Sequence, residues 1–478
     1  MKYSLFLNFF FGVVLFSSFL AASEQPVPEH SIDPSVECTP TNYQSVSNSA
    51  CSSKYSLPSP AVTPASPAYS LQPIASIRTT DRIVKSVPWS SPPHWSSLQR
   101  YADTITAFEL EDLLQNVYVP DGSWKSWITI TPRLALIEPY PGAPTEKKIS
   151  LSLAPSPSTC QPLPRYWKVP SEIHPSSTKP LAGLHVVIDP GHLGGSWSKM
   201  EERWFRMDHS RPVEEGTMTL IVAKLLKQRL QALGAEVQLT RNHAGPTTPL
   251  RPHKLRKTAI AQLKEEQGAW TAQQLKKREE ILFYRTAEIH HRADLINNTF
   301  HPDLVICLHF NAEEWGDEHH PTLTDKNHLH FLISGDFSAG ELQNEEDRYV
   351  MLRKLLGRVH SEEVGIADAV AQVFVGATAL PPFIYHNPAQ AREALPSNSY
   401  IWNRNLLATR LIEAPTLYCE PYVMNSKQVF QRVQAGDYRG YRLIGCEKLP
   451  SIYREYADAV AKGIMNYLAN SPNRGYRL

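Results

Sequence analysis

The chain predicts an α/β fold: a mixed, largely parallel sheet flanked by helices on both faces, preceded by a small α+β module. Three observations carry this. From Leu181 onward, short apolar runs such as LHVVI (184–188), AEVQLT (235–240) and DLVICLHF (303–310) alternate with longer stretches of helical spacing. Upstream, ITAFELEDLLQNVY (105–118) has helical spacing, while SWKSWITIT (123–131) and LALI (134–137) alternate like strands. Between these regions lies a Pro-rich connector that suits neither element.

Taken in order, residues 1–23 place a lysine before an apolar core and then small residues around Ala22 and Ser23, the pattern of an export signal. A membrane anchor is the rival reading. The apolar core is short for a span, and small residues at the end favour cleavage. No cysteine sits at the cut to take a lipid, and no other segment is apolar enough to span a bilayer. Residues 24–79 are rich in Pro, Ser, Thr and Ala and bury too little apolar surface to offset their ordering entropy, so a disordered linker is expected. The small module is expected over 80–155, a second linker over 156–180 and the main domain over 181–473. In that domain the helix from Glu215 to Leu233 puts Leu220, Ala223, Leu226 and Leu230 on one face and stops at Gly234. A charged, helical stretch follows over 255–298. HLHFLIS (328–334) and PTLYCE (415–420) are further strands, 344–374 has helical spacing, and the last helix covers about 451–469.

Composition excludes several classes. The 48 Lys and Arg nearly balance the 47 Asp and Glu, which gives no ground for nucleic acid or an acidic membrane as the main partner. Six cysteines in 478 residues make no disulfide scaffold. Cys38 and Cys51 could pair in an oxidising compartment, whereas Cys307 and Cys419 sit in apolar runs as small hydrophobes. There is no C-x-x-C, H-E-x-x-H, G-x-S-x-G, G-x-x-x-x-G-K-[ST] or G-x-G-x-x-G.

What remains is a set of chemistry-bearing residues at strand ends, where open α/β sheets build their sites. VVIDPGH ends at His192, DLVICLH at His309 and PTLYCE at Glu420, and a helix opens with Glu214-Glu215-Gly216. Two histidines and one glutamate make a three-ligand zinc set with a fourth position for water, and a further carboxylate could take that water's proton. Each residue has a plainer reading. His192 could be only part of a turn, His309 a satisfied core histidine, and Glu214 and Glu215 the acids that helix N-termini favour.

At these residues the chain resembles the zinc-dependent N-acetylmuramoyl-L-alanine amidases, which cut bacterial peptidoglycan. VVIDPGHLGG is similar to that family's first motif, EGTMTLIVAKLLKQRLQALGAEVQLTR to its second, RADLINNTFHPDLVICLHFNA to its third and APTLYCEPYVMN to its last. The resemblance covers roughly 181–470. It implies zinc held by His192, Glu215 and His309, with Glu420 as general base, and hydrolysis of the amide between muramic acid and L-alanine. It also implies peptidoglycan or muropeptides as the partner, an activating partner protein as a further possibility, and a periplasmic or cell-envelope location. Three departures stand out. The stretch SWSKMEERWFRMDHSRPVE (196–214) separates the first turn from Glu215, Thr219 stands where the family has asparagine, and a long charged segment divides His309 from Glu420.

Several residues keep two readings. Asp189 either orients His192 or closes the Asp-Pro turn. Asn311 is a candidate for orienting a ligand or holding substrate. His328 and His330 share one strand face and either line the site or stay solvated at an edge. Glu313 and Glu314 rival Glu420 as base. For Arg241, Arg285 and Arg292, surface ion pairs are favoured over substrate binding. The helical segment 344–374 is a candidate cover for the metal. The alternatives to an amidase are another zinc amide hydrolase, a peptidase or deacetylase, or an inactive wall-binding protein.

Overall fold

The computed structural model describes residues 92–174, 176–317 and 320–470. The expected export signal, the linker 24–79, the start of the small module and the candidate pair Cys38 and Cys51 lie outside the described residues. Among the described residues no helix is long and apolar enough to cross a membrane.

The N-terminal unit opens with a 3-10 turn over Trp95–Tyr101 and helix α1 (Ala107–Leu113). Thr106 caps α1 by accepting from the Glu109 amide at 3.2 Å. Strands β1 (Ile128–Thr131), β2 (Leu134–Ile137) and β3 (Ile149–Ser152) follow as an antiparallel sheet. Ile128, Ala135, Ile137 and Leu151 point inward and meet Leu98, Leu110, Leu114 and Trp124. This core does not close on itself. It is completed by Met351, Leu352, Leu355 and Leu356, more than 190 residues downstream in sequence. The connector that follows β3 is packed as well: Trp167 and Ile173 are buried, and Arg165 stacks over the Trp167 ring.

The main domain runs β4 (His185–Pro190), α2 (Trp197–Met200), β5 (Trp204–Phe205), β6 (Val213–Glu214), α3 (Glu215–Ala232) and β7 (Glu236–Leu239). Three helices follow, α4 (Arg256–Gln267), α5 (Ala272–Ile281) and α6 (Glu288–Leu295), then strands β8 (Leu304–Leu308) and β9 (Leu329–Ile333). Helices α7 (Glu345–Gly357) and α8 (Val359–Thr378) precede β10 (Arg392–Glu393), β11 (Ile401–Asn403), α9 (Leu407–Leu411) and β12 (Thr416–Pro421). The chain ends with α10 (Lys427–Gln434), the hairpin β13 (Tyr441–Ile444) and β14 (Glu447–Pro450), and α11 (Ile452–Asn470). The charged stretch expected to be helical over 255–298 is helical and breaks once, with α5 and α6 joined by a continuous π-helical segment over Leu282–Ala287. It breaks at Gly268, which takes φ 72°, and restarts at Thr271, which caps α5.

Seven strands form one sheet in the order β10-β11-β9-β12-β8-β4-β7. Strands β7, β4, β8 and β12 are parallel, β9 runs antiparallel to β12, and β11 is parallel to β9. The sheet is mixed and largely parallel, as the alternating strands and helices predict. Period-two alternation assigns its faces. Val186, Ile188, Leu304, Ile306, Leu308, Leu417 and Cys419 pack against α3, α8 and α11. Val187, Val305 and Cys307 face Ala293, Ile296 and Leu411 on the other side. Because Cys419 faces α8, Glu420 and the site project to the opposite face.

The segment 344–374 is therefore not a cover. Helix α7 completes the N-terminal core, and α8 lies on the far side of the sheet. Its charges are turned inward instead. Lys354 and Glu363, both without solvent exposure, pair at 3.0 Å. Glu363 also accepts from the amides of Ser334 and Thr416, each at 3.1 Å, while Lys354 donates to the carbonyls of Thr409 and Ile412. Breaking such a pair costs roughly 3–5 kcal/mol, because one charge is left buried and unpaired.

The shared core carries a prediction. A chain starting at residue 164 exposes Met351, Leu352, Leu355 and Leu356 and should aggregate, whereas one starting at residue 92 should elute as a compact species. Size-exclusion chromatography of the two truncations decides between this and an independent N-terminal domain.

Candidate metal centre

Strand β4 ends in a turn whose backbone is held from several sides. His192 adopts φ 56°, a left-handed conformation uncommon outside glycine. The Gly191 amide donates to the Leu308 carbonyl at 2.8 Å, and the Gly194 amide to that of Ala244 at 2.8 Å. Two buried arginines collect the carbonyls. Arg241 donates to Pro190 at 3.0 Å, Gly191 at 2.9 Å and Gly216 at 2.6 Å. Arg292 donates to Pro190 at 2.8 Å and His192 at 3.0 Å, and pairs with Asp189 and Glu288. Burial, with Arg292 close by, pulls the Arg241 pKa down to about 9, still charged at neutral pH. Neither arginine is the surface ion pair expected of it: Arg241 is 2% exposed and Arg292 6%. Their hydrogen bonds to a strained turn supply what bulk water would otherwise offer. Arg285 is half-buried and lies over the Tyr284 ring.

Asp189 accepts from Thr240 as well as Arg292, so it holds the turn from below and does not touch the His192 ring. That contact comes from Glu201, whose carboxylate lies 2.7 Å from His192 Nδ1 and also accepts from the Leu193 amide. An Nδ1–H donated to Glu201 leaves the Nε2 lone pair of His192 facing the centre. Glu201 is part of the stretch 196–214, which folds into α2 and the β5–β6 hairpin. A pair of acids just before an arginine, within an insert that carries three aromatics, was the available sequence signal, but nothing in its spacing tied it to a histidine.

The two glutamates at the start of α3 take different parts. Glu214 accepts from the Gly195 amide at 3.0 Å and from the Thr217 hydroxyl at 2.6 Å. Glu215 is buried and turns to both histidines, with Oε2 3.3 Å from His192 Nε2 and Oε1 3.1 Å from His309 Nδ1. The Phe310 amide adds a bond to Oε1 at 3.1 Å. Ligand atoms of His192, Glu215 and His309 all lie within 4.8 Å of one another. Gly191 permits this approach, since a Cβ there would sit 2.2 Å from the His309 ring. The opposite face of His309 stacks on Tyr418 at 4.1 Å.

The protonation states suit a cation. Burial opposes the Glu215 charge, but His192, His309 and Arg203 outweigh it and hold the carboxyl at about 2. Burial pushes His192 below its ordinary value despite Glu215 and Glu201, which favours the neutral imidazole. A buried carboxylate and two imidazoles meeting at one point, one with its tautomer fixed, fit the donor set of zinc.

Glu420 lies half-buried on β12, and among the described residues it accepts no hydrogen bond. Burial raises its pKa to about 7; Glu215 adds to the rise, while His309, Arg203 and Arg404 oppose it. Opposite it in register is His330 on β9. His330 is buried rather than solvated at an edge, and burial holds it well below its ordinary pKa. Its Nε2 takes the Tyr385 hydroxyl at 3.1 Å, and that hydroxyl accepts from Arg404 at 3.0 Å. The remaining nitrogen, Nδ1, has no partner among the described residues. Asn311 and His328 form a separate group. The Asn311 side chain accepts from the Ala312 amide, and His328 pairs with Glu313, which also binds Lys326. Glu313 is thereby committed elsewhere.

With this geometry in place, residues 186–324 match the family model for N-acetylmuramoyl-L-alanine amidase. This segment belongs to that amidase family. The amidase match contains His192, Glu215, His309 and Asn311 and ends before His330 and Glu420. Among solved structures, the chain is similar to the Ami1 amidase of Mycobacterium smegmatis, with 15% identity over 60% of this chain and 98% of that one and a TM-score of 0.34. It is also similar to the AmiC2 amidase of Nostoc punctiforme, with 15% identity over 60% and 99% of the two chains and a TM-score of 0.33. A third is the CwlD amidase of Clostridioides difficile, solved with the GerS lipoprotein, with 13% identity over 60% and 99% and a TM-score of 0.33. No curated protein matches the chain.

The different parts taken by Glu201, Glu214 and Glu215 can be read from metal affinity. Glu201→Ala should weaken zinc binding by about 10–100-fold, the usual effect of removing a ligand's hydrogen-bond partner. Glu215→Ala should abolish stoichiometric zinc, and Glu214→Ala should retain it. Competition with a chromophoric chelator measures all three.

Proposed function

We propose that the chain is an exported, zinc-dependent amidase that hydrolyses the bond between N-acetylmuramic acid and L-alanine in peptidoglycan. The observation that carries this is the meeting of His192, Glu215 and His309 beside the free carboxyl of Glu420, at the ends of β4, α3, β8 and β12. Zinc bound by the three would polarise the lactyl carbonyl and make water acidic enough to attack near neutral pH.

The chain's own residues then have distinct tasks. Glu201 fixes the His192 ring, and the arginine-held turn fixes its backbone, so the donor set costs little to organise on binding. Glu420 takes a proton from the attacking water and returns it to the L-alanine nitrogen as the amide bond breaks. A carboxyl titrating near neutrality can do both, since neither transfer is strongly uphill. His330 lies opposite Glu420 in register, and its ring meets that of Tyr385. The lysine-led apolar start of the chain supports export, which would bring the enzyme to its wall substrate in the periplasm or cell envelope.

Digestion of purified sacculi tests the reading. Wild type should release stem peptides with a free L-alanine amine and leave glycan strands with free lactyl carboxyls. Glu420→Ala should bind zinc normally and lose about 10²–10⁴-fold in rate, the usual worth of a positioned general base. Stripping zinc with a chelator should abolish release, and adding it back should restore it. Acetate as the product, or cleavage only between amino acids of the stem, would overturn the amidase assignment.

A further inference from the structure

The insert 196–214 brings a second residue to the centre besides Glu201. Arg203 opens the β5–β6 hairpin, and its backbone is fixed on both sides. Its amide donates to the Ser198 carbonyl at 2.9 Å, and its carbonyl accepts from the Glu215 amide at 3.2 Å. Aromatic packing anchors the hairpin. Phe205 is fully buried against Trp315 and Phe430, and Lys199 lies 4.0 Å over the Trp204 ring. The guanidinium therefore occupies a set position instead of sweeping through solvent.

That position is at the reacting centre. Arg203 Nε lies 3.6 Å from Glu215 Oε2, and the charges of Glu215, Glu420 and Glu201 all act on the guanidinium. Its side chain keeps 26% exposure, and among the described residues it donates no hydrogen bond. Nearby arginines behave otherwise. Arg241 and Arg292 spend their donors on backbone carbonyls. A buried structural arginine fills its N–H positions, whereas this one sits 3.6 Å from a candidate ligand, stays 26% exposed and, among the described residues, leaves its donors without a hydrogen-bond partner.

We propose that Arg203 is a catalytic residue that binds the carbonyl oxygen of the scissile amide and stabilises the negative charge that forms there. The inference rests on the amidase reading above. In the addition step the water oxygen bonds to the lactyl carbonyl carbon, a water proton passes to Glu420, and the carbonyl π pair moves onto oxygen. In the collapse step that pair re-forms the carbonyl, the C–N bond breaks, and the Glu420 proton goes to nitrogen. The oxygen gains and then loses a full charge, and a pre-placed guanidinium acts on it most strongly at the transition state. The hairpin is what allows this, since Arg203 leads directly into two strands too short to stand without their aromatic anchor.

The test compares wild type, Arg203→Gln and Arg203→Lys, all zinc-loaded, on a soluble muropeptide and on its phosphinate analogue, in which a tetrahedral anionic phosphorus replaces the scissile carbonyl. Arg203→Gln should lower kcat by about 10²–10³-fold with KM within a factor of three, the range found when one oxyanion donor is removed. Calorimetry should show phosphinate affinity falling by a similar factor while product affinity is unchanged. Arg203→Lys should recover part of both losses. Zinc affinity should not fall in either variant, because Arg203→Gln removes a cation beside a metal ligand and Arg203→Lys keeps one there. Three results would overturn the proposal: unchanged phosphinate affinity; a raised KM with intact kcat, which would make Arg203 a binder of a stem-peptide carboxylate; or a loss confined to zinc affinity, which would make it a structural counter-ion. Failure of wild type to cleave the lactyl amide would sink the amidase reading itself, and is distinguishable because it precedes any comparison of variants.

Discussion

The centre depends on how closely two strand ends approach each other. His309 can reach Glu215 only because the backbone at Gly191 passes against its ring with no side chain between them. That backbone runs through a left-handed His192, so the approach and the strain arise in the same turn. Four carbonyl contacts from Arg241 and Arg292 hold it there. The same two guanidiniums are tied to α3 through Gly216 and to α6 through Glu288. A shift in either helix would therefore move His192 relative to the other two candidate ligands, and the whole domain contributes to holding a small cluster.

Polarity around the cluster is graded. On one side Glu201, Glu215 and Arg203 set opposite charges within a few ångströms of one another, where Glu215 stays ionised and burial favours a neutral His192. On the other, Tyr418, Phe383, Tyr385 and His330 make a drier wall, against which Glu420 loses much of the solvation that keeps a carboxyl acidic. Two glutamates of identical chemistry are thus driven in opposite directions, one toward permanent charge and the other toward reversible protonation.

The parts of this that were legible in the sequence share a physical reason. Strands buried on both faces must be apolar throughout, so LHVVI, LVICL and the run ending at Glu420 announce themselves, and the strand-end rule points to His192 and His309. Glu214 and Glu215 were hard to separate, because the same helix start favours both, and only the hydrogen bond from Gly195 shows which one is occupied. Arg241 and Arg292 were misjudged because a charged side chain is normally exposed. Their burial follows from the unusual number of turn carbonyls left without strand partners. Glu201 and Arg203 could not be found by spacing, because their position depends on a hairpin whose strands are two residues each. The charged helical spacing of 344–374 gave no sign that Lys354 and Glu363 are wholly enclosed, since their partners Ser334, Thr409 and Thr416 come from elsewhere in the sequence.

The interlocked core of the N-terminal unit and α7 has a consequence for proteolysis. A digestive cut needs a stretch of free backbone, and a two-domain chain usually offers one between its domains. Here the connector is pinned by Trp167 and Ile173, and the unit upstream cannot detach without uncovering α7. Cleavage at that junction must therefore wait for unfolding of a large part of the molecule, so its lifetime against proteases is set by global stability and not by a vulnerable hinge.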